Sequence, residues 1–254
     1  MAKSVAIVIG ASGGLGSAIC EQWQQDATIG AVIAISRKNI KYKISVKEAR
    51  DNSKILHAME CDYTESSIKS CCEQVDELMQ RYRLDSVTRV CICNGILHND
   101  VVWPEKRIEE IDSKMLMEVF SVNTITPMLW LKELLNIVKG NTECIMTVFN
   151  ARIGSISDNR SGGWYSYRAS KAALNMLLKT ASIEYARRAK NVKLISFHPG
   201  TTDTPLSKPF RRSINTDSLF SAAFVARHLI EIMNLKHADG ELSFIDWEDK
   251  PIAW

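Results

Sequence analysis

Ser4-Val-Ala-Ile-Val-Ile-Gly10-Ala-Ser-Gly13-Gly14-Leu-Gly16-Ser-Ala-Ile-Cys-Glu-Gln-Trp23 passes from a β-branched apolar run, through four glycines, into residues of helical character. A short apolar run stopped by a glycine turn predicts a buried strand, and the residues after the turn predict the first turns of a helix. A helix start at such a place presents unpaired backbone N–H groups, and its dipole favours negative charge beside them. An ordinary glycine-rich turn is the plainer reading of the glycines alone. Their place between a strand and a helix favours an anion such as a pyrophosphate.

Outward from this unit, further strand-like runs occur at 31–35, 55–59, 90–93, 144–149, 192–197 and 242–245. Continuous apolar runs of this kind are what strands covered on both faces show. Segments of helical spacing lie between most of them, such as Ile68, Cys72, Val75, Leu78 and Met79, or Met128, Leu131, Leu134, Leu135 and Val138. This alternation predicts an α/β protein, a Rossmann-type doubly wound sheet of about seven mostly parallel strands with helices on both faces, where right-handed crossovers put them. Residues 1–254 read as one domain. Near 201–217, Pro205, Pro209, Arg211 and Arg212 interrupt the apolar periodicity, which predicts a mobile loop over the site.

A chain of 254 residues with 46% hydrophobic and 24% charged content is long enough for one large core. Its net charge of +3 is dispersed, with short basic pairs such as Arg187-Arg188 and Arg211-Arg212, so neither nucleic acid nor a membrane surface is an expected partner. The opening residues lack the apolar region and cleavage site of a secretory signal, and no apolar run nears the roughly 20 residues of a membrane span. Seven cysteines, mostly inside apolar runs, read as free thiols in a reducing, cytoplasmic setting. Cys91-Ile92-Cys93 has one intervening residue and no second Cys or His pair nearby, so no metal site is expected.

The glycine spacing Gly10-x-x-x-Gly14-x-Gly16 differs from the Gly-x-Gly-x-x-Gly of many dinucleotide-binding proteins. In this spacing the chain resembles the short-chain dehydrogenase/reductase family, with Ile9 where the family usually has Thr. That resemblance implies the sheet order 3-2-1-4-5-6-7 and a nicotinamide dinucleotide cofactor. The second strand ends Ile35-Ser36-Arg37-Lys38, with no carboxylate to hold the ribose hydroxyls of NAD. Arg37 through a forked contact and Lys38 as a point charge suit a 2′-phosphate, so NADP(H) is expected over NAD(H); an exposed loop arginine is the plainer reading. The family further implies Asp62, followed by Tyr63, at the adenine. Asn94-Gly95 looks like the end of the family's Asn-Asn-Ala-Gly element, with Ile92 and Cys93 where its asparagines would stand, and an Asn-Gly turn is the alternative. Ser12, Gly13 and Leu15 complete this end of the site, which falls at strand carboxyl ends.

Tyr167-Arg-Ala-Ser-Lys171 opens a helical stretch, so Tyr167 and Lys171 share one face. An ammonium beside a phenol stabilises the phenolate and can lower a pKa of about 10 toward working pH, as a proton donor to a carbonyl oxygen requires. Tyr165 and Tyr185 have alanine four positions on. The pair lies between the fifth and sixth strands, where the family has its catalytic Tyr and Lys. The resemblance also implies that Asn123, in Ser121-Val-Asn123-Thr, anchors a water in the proton relay from Lys171; a solvent-facing helix Asn is the plain reading. The family's serine maps onto Ala151, which leaves Asn150 or Ser155 to orient a substrate carbonyl. His198-Pro199-Gly200-Thr201-Thr202-Asp203-Thr204 resembles the family's Pro-Gly element, implying Pro199, Gly200, Thr202 and Thr204 at the nicotinamide carboxamide and phosphates.

The stretch 150–171 and the tail Phe244-Ile-Asp-Trp-Glu-Asp-Lys-Pro-Ile-Ala-Trp254 are similar to the C-factor and carbonyl-reductase-like (Sniffer-like) branch. What this implies is NADP(H)-dependent hydride transfer between nicotinamide and a small-molecule carbonyl or alcohol, with Tyr167 as acid/base. Two alternatives stay open: a C-factor-like signalling or regulatory module that binds NAD(P) with little or no turnover, and an isomerase, epimerase or dehydratase on the same scaffold. His98, Trp103, Trp164, Leu206 and Phe210 are candidates for an apolar substrate pocket, with plain packing as the alternative. Helices of the 116–138 and 167–188 regions pair subunits in many relatives, while some carbonyl reductases are monomers, so homodimer, homotetramer and monomer all stay open.

Overall fold

The computed structural model describes residues 4–38, 55–213 and 219–254. Its elements run β1 (Ser4–Ile9), α1 (Gly14–Gln25), β2 (Ile29–Ser36), β3 (Ile55–Glu60), α2 (Glu65–Arg81), β4 (Ser86–Ile92), α3 (Ser113–Phe120), α4 (Thr126–Val138), β5 (Cys144–Phe149), α5 (Tyr165–Arg188), β6 (Val192–His198), β7 (Thr201–Thr202), β8 (Leu219–Phe220), α6 (Ala222–Leu235) and β9 (Leu242–Asp246). The main sheet has the order β3-β2-β1-β4-β5-β6-β9, and its pairings are parallel throughout. This is the expected doubly wound order, with β9 as the seventh strand.

Side-chain alternation along β1 shows why its sequence carries no polar residue from Val5 to Ile9. Val5, Ile7 and Ile9 join the core under α2, α4 and α5, whereas Ala6 and Val8 join the core under α1 and α6. Trp23 of α1 and Trp130 of α4 are almost wholly buried in these two layers, and side chains of that size contribute about 2–3 kcal/mol each by leaving water.

Two expectations change. The strand read at 90–93 begins at Ser86 and ends at Ile92: Thr88 and half-buried Arg89, whose guanidinium donates to Asn234 Oδ1 at 2.9 Å, hide its start. The stretch 201–217 is not plain loop. It contains β7, which pairs with β8, and a 3-10 turn at Lys208–Ser213; residues 214–217 lie outside the described residues. No helix among the described residues is long and apolar enough to cross a membrane.

The chain leaves β1 toward β2 and β3, then returns to β4 on the other side of β1, creating a switch point at the carboxyl ends of β1 and β4. There Gly10 holds φ +82°, and a Cβ on it would fall 3.0 Å from Asn94 N. Only glycine suits both the conformation and the approach.

Candidate active site

A cleft opens at this switch point in two chambers of about 420 and 300 Å³, which share Ser12, Gly13, Cys93, Asn94 and Gly95. The larger also has Gly10, Arg37, Asp62, Tyr63 and Thr64 on its walls. The smaller has Gly14, Leu15, Gly16, Asn150, Tyr167, Lys171, Pro199 and Thr204.

Several observations fit a dinucleotide in this cleft. Gly13 stands at the N-cap of α1 with no side-chain hydrogen bond, leaving first-turn N–H groups for an anion. The turn is tight enough that a Cβ on Gly16 would lie 2.3 Å from Gly10 O, and one on Gly14 would lie 2.8 Å from Thr204 Cγ2. Asn94 donates Nδ2 to Val122 O at 3.0 Å, while its buried Oδ1 has no partner among the described residues. A buried acceptor of that kind is costly unless a ligand satisfies it. Gly16→Ala is expected to force the turn apart at about 1–3 kcal/mol and to weaken binding of a nicotinamide dinucleotide, measured by thermal unfolding and fluorescence titration. Unchanged stability and affinity would contradict the tight packing.

At the far end, the exposed Arg37 guanidinium lies 5.9 Å from the centroid of the Tyr63 ring. Tyr63 adopts φ +69° and sets its ring edge-on to Trp130 at 5.8 Å; burial pushes its hydroxyl upward. Asp62 Oδ1 accepts from the N–H and Oγ1 of Thr64, both at 2.8 Å, and these bonds hold its carboxyl below the ordinary range.

At the other end, Lys171 is buried and donates Nζ to Phe149 O at 3.1 Å. Its ammonium lies 5.9 Å from the Tyr167 ring centroid. Burial lowers the Lys171 ammonium to about 8 and pushes the Tyr167 hydroxyl up to about 12. Burial therefore acts against the lowering expected from the ammonium, because desolvation disfavours the charged form of each group. Asn123 lies in a π turn, Ser121–Ile125, and is fully buried. Its Oδ1 accepts from Ile96 N–H at 2.7 Å, and its Nδ2 donates to Ile96 O at 2.8 Å and Ser170 Oγ at 3.2 Å. It is therefore a clamp between the loop after β4 and the helix carrying Tyr167, not a solvent-facing residue.

Neither candidate for the missing serine turns a donor toward the chamber. Asn150 Nδ2 donates to Asn175 Oδ1 at 2.6 Å, Ser196 Oγ at 3.0 Å and Lys171 O at 3.3 Å, while its Oδ1 accepts from Ala151 N–H. Although Asn150 borders the chamber, its donors point into the protein. Beyond Ala151 the chain makes a 3-10 turn, Arg152–Gly154, packed so closely on Lys171 that a Cβ on Gly154 would lie 2.8 Å from Lys171 C. This turn carries Ser155 away from the cleft, where its buried Oγ accepts from Asp158 N–H at 3.1 Å. Lys38, Gly200 and Thr202 also line neither chamber; Thr202 is buried with Oγ1 turned toward Pro199 O at 3.4 Å.

The family model for short chain dehydrogenases matches residues 4–215. The chain belongs to the short chain dehydrogenase family. Among relatives of this dehydrogenase, a Bacillus cereus protein named benzil reductase ((S)-benzoin forming) is 26% identical and aligns over 87% of this chain and 84% of its own length. The C-signal protein of Myxococcus xanthus is 23% identical over 57% of this chain and 82% of its own. Among solved structures, the NADPH-bound carbonyl reductase from chicken fatty liver has the same fold at a TM-score of 0.82 and 21% identity, with all of both chains covered. Carbonyl reductase Sniffer of Drosophila melanogaster has it at a TM-score of 0.81 and 18% identity, again over both whole chains.

The dehydrogenase cleft includes residues that sequence reasoning passed over. Ser121, Val122 and Thr126 reach the larger chamber because the π turn swings that segment inward. Pro205 reaches the smaller chamber beside Leu206. Of the residues expected to form an apolar pocket, Leu206 lines the smaller chamber, whereas His98, Trp103, Trp164 and Phe210 line neither and form one aromatic cluster that meets Tyr167 through Trp164.

Proposed function

We propose that this short chain dehydrogenase reduces a small-molecule carbonyl with NADPH, or oxidises the corresponding alcohol, and that Tyr167 is its proton donor. The observation that carries the reading is that Tyr167 and Lys171 face the same chamber that the glycine cradle opens into. A bound nicotinamide supplies or accepts the hydride. The N–H groups at the head of α1 hold its pyrophosphate, Asp62 and Tyr63 border the adenosine, and Arg37 meets the 2′-phosphate. Tyr167, protonated throughout the working range, donates to the carbonyl oxygen, and the Lys171 ammonium stabilises the phenolate left behind. Asn123 fixes the loop at Ile96 against the catalytic helix. One domain carries both cofactor and substrate, and the cytoplasm is its proposed setting.

Benzil reductases among the relatives and an NADPH-bound carbonyl reductase among the structural neighbours support this chemistry. Arg37→Ala is expected to weaken NADPH binding by about tenfold or more while changing NADH binding little, since a charge-assisted bond is worth about 1.5–3 kcal/mol. Parallel titrations check this, and an equal loss for both nucleotides would remove Arg37 from the 2′-phosphate. A second reading, a nucleotide-binding signalling module, is favoured by the similarity to C-signal and by Ala151 at the serine position. Following NADPH oxidation across aldehydes, ketones and quinones separates the two: turnover supports the reductase, and tight binding without turnover supports the module.

A further inference from the structure

Tyr167 lies in the first turn of α5, where backbone N–H groups have no partner within the helix. The residue before the helix does not supply one. Trp164 forms no side-chain cap and closes a run of three left-handed residues, Gly162, Gly163 and Trp164, at φ +63°, +64° and +54°. Glycine takes this conformation freely, but a tryptophan holds it only where surrounding contacts enforce it. Those contacts include Glu105, from the loop between β4 and α3. Glu105 O accepts from Trp164 N–H, and the Glu105 carboxylate, only 2% exposed, accepts from Ser166 N–H at 3.1 Å and from the Ser166 hydroxyl. From the other side Arg168 closes the approach, with Nε donating to Gly163 O at 2.9 Å. A carboxylate suits the positive end of a helix, and this one makes the cap that Trp164 lacks.

The second turn of α5 has anchors of its own. Thr124 Oγ1 donates to Ser170 O at 2.8 Å, Asn123 Nδ2 donates to Ser170 Oγ at 3.2 Å, and Lys171 Nζ donates to Phe149 O at 3.1 Å. Lys171 is thus fixed from β5 and from the π turn, whereas the turn that carries Tyr167 is fixed from the loop after β4, at the neighbouring Ser166. The two side chains share one helix face, so the place of the phenol relative to the ammonium and to the smaller chamber requires both turns to keep their geometry. We propose that Glu105 is a positioning residue for Tyr167: its buried carboxylate caps the first turn of α5 and so sets the phenol where it can pass its proton to the carbonyl oxygen. The inference rests on the reading of Tyr167 as proton donor. A displacement of about 1 Å can cost about 10²-fold in rate, and a first turn without its cap would loosen the donor while leaving the glycine turn of the nucleotide end untouched.

The test is a double-mutant cycle between Glu105→Ala and Tyr167→Phe, with Glu105→Gln as the conservative variant. Reduction of hexanal, cyclohexanone and menadione is followed at saturating NADPH, reading kcat and KM separately, with NADPH affinity and stoichiometry by fluorescence. Glu105→Ala is expected to lower kcat by about 10- to 100-fold and to move KM and NADPH affinity by less than about threefold. In the Tyr167→Phe background, where no phenol remains to be placed, the same change should lower kcat by less than about twofold. Glu105→Gln keeps an oxygen for Ser166 N–H, and the Ser166 hydroxyl can turn to accept from its amide, so most of the rate should return. An unmoved kcat in Glu105→Ala, an equal loss in both backgrounds, or a Glu105→Gln as slow as Glu105→Ala overturns the positioning role and leaves the reductase standing. A wild type that reduces none of the three compounds nor any other carbonyl, or a Tyr167→Phe as active as the wild type, overturns the proton-donor reading and this inference with it. If Glu105→Ala does not fold, Ser166→Ala decides: it removes one of the two bonds to the carboxylate and should lower kcat by about two- to tenfold, and an unchanged kcat would overturn the inference.

Discussion

Tyr167→Phe is expected to lower kcat for carbonyl reduction by about 10³-fold while leaving NADPH affinity within about twofold, because a positioned general acid contributes about 10²–10⁴-fold to such a step. The substitution removes one oxygen and keeps the ring that packs against Trp164 at 6.3 Å, so its effect reports the proton and not the packing. Hydride delivered to a carbonyl carbon leaves negative charge on oxygen, and in this half-buried chamber the nearest acid on α5 is a phenol held near 12. A phenol so held keeps its proton at neutral pH, and because it is a weak acid its transfer depends on stabilisation of the phenolate by the Lys171 ammonium. Single-turnover measurement with pre-bound NADPH separates this chemical step from product release. A variant that retains more than about a tenth of the wild-type rate would remove Tyr167 from the acid role.

How much of this site could be read from the sequence depends on whether a residue's role is set locally. The strand-turn-helix at 4–25 is legible because strand period, glycine turn and helix period follow one another without interruption, and each constrains the next. Tyr167 and Lys171 are legible because spacing within one helix determines a shared face. Asn150 and Ser155 are not. The direction of the Asn150 amide is decided by acceptors on residues 171, 175 and 196, and that of Ser155 by a 3-10 turn packed on Lys171. The burial of the Tyr167 hydroxyl is illegible for a related reason: spacing reports the neighbouring ammonium, whereas burial depends on every layer of the fold.

Glu105 is the extreme case. In sequence it is one acid in a charged loop, and its partner Ser166 is 61 residues away. Only the fold makes it a buried cap on the helix that carries Tyr167. The left-handed Trp164 is equally invisible, because a positive φ at a bulky residue opposes local preference and exists only where surrounding contacts enforce it. Gly162 and Gly163 are the one local trace, a pair of permissive residues immediately before the strained one.

Lys171→Met is expected to abolish most activity, by about 10²-fold or more, and yet to stabilise the ligand-free protein at neutral pH. Burial lowers the Lys171 ammonium from an ordinary 10.5 to about 8, which at about 1.4 kcal/mol per tenfold change in proton affinity is roughly 3 kcal/mol against the charged form. Below pH 8 the folded chain bears this penalty in full, while the unfolded chain holds the same proton in water. Between about 8 and 10.5 the unfolded state binds more protons than the folded one, so wild-type stability rises with pH through that window. Methionine has similar length and no charge. It removes the penalty but leaves Phe149 O without its donor, a loss of about 1–3 kcal/mol, so the net gain at pH 7 is expected to be modest, roughly 1 kcal/mol. The pH dependence is the sharper readout: denaturant unfolding at about pH 7 and about pH 9.5 should show wild-type stability climbing and that of the variant nearly flat. Equal slopes would mean that Lys171 is not charged and desolvated in the ligand-free fold. A flattened slope together with lost activity would place a stability penalty at the residue that chemistry needs, the trade expected where a buried cation is kept for function. An anionic nucleotide entering the cleft would relieve part of that penalty, so NADPH affinity should weaken as pH rises through about 8 in the wild type and not in Lys171→Met.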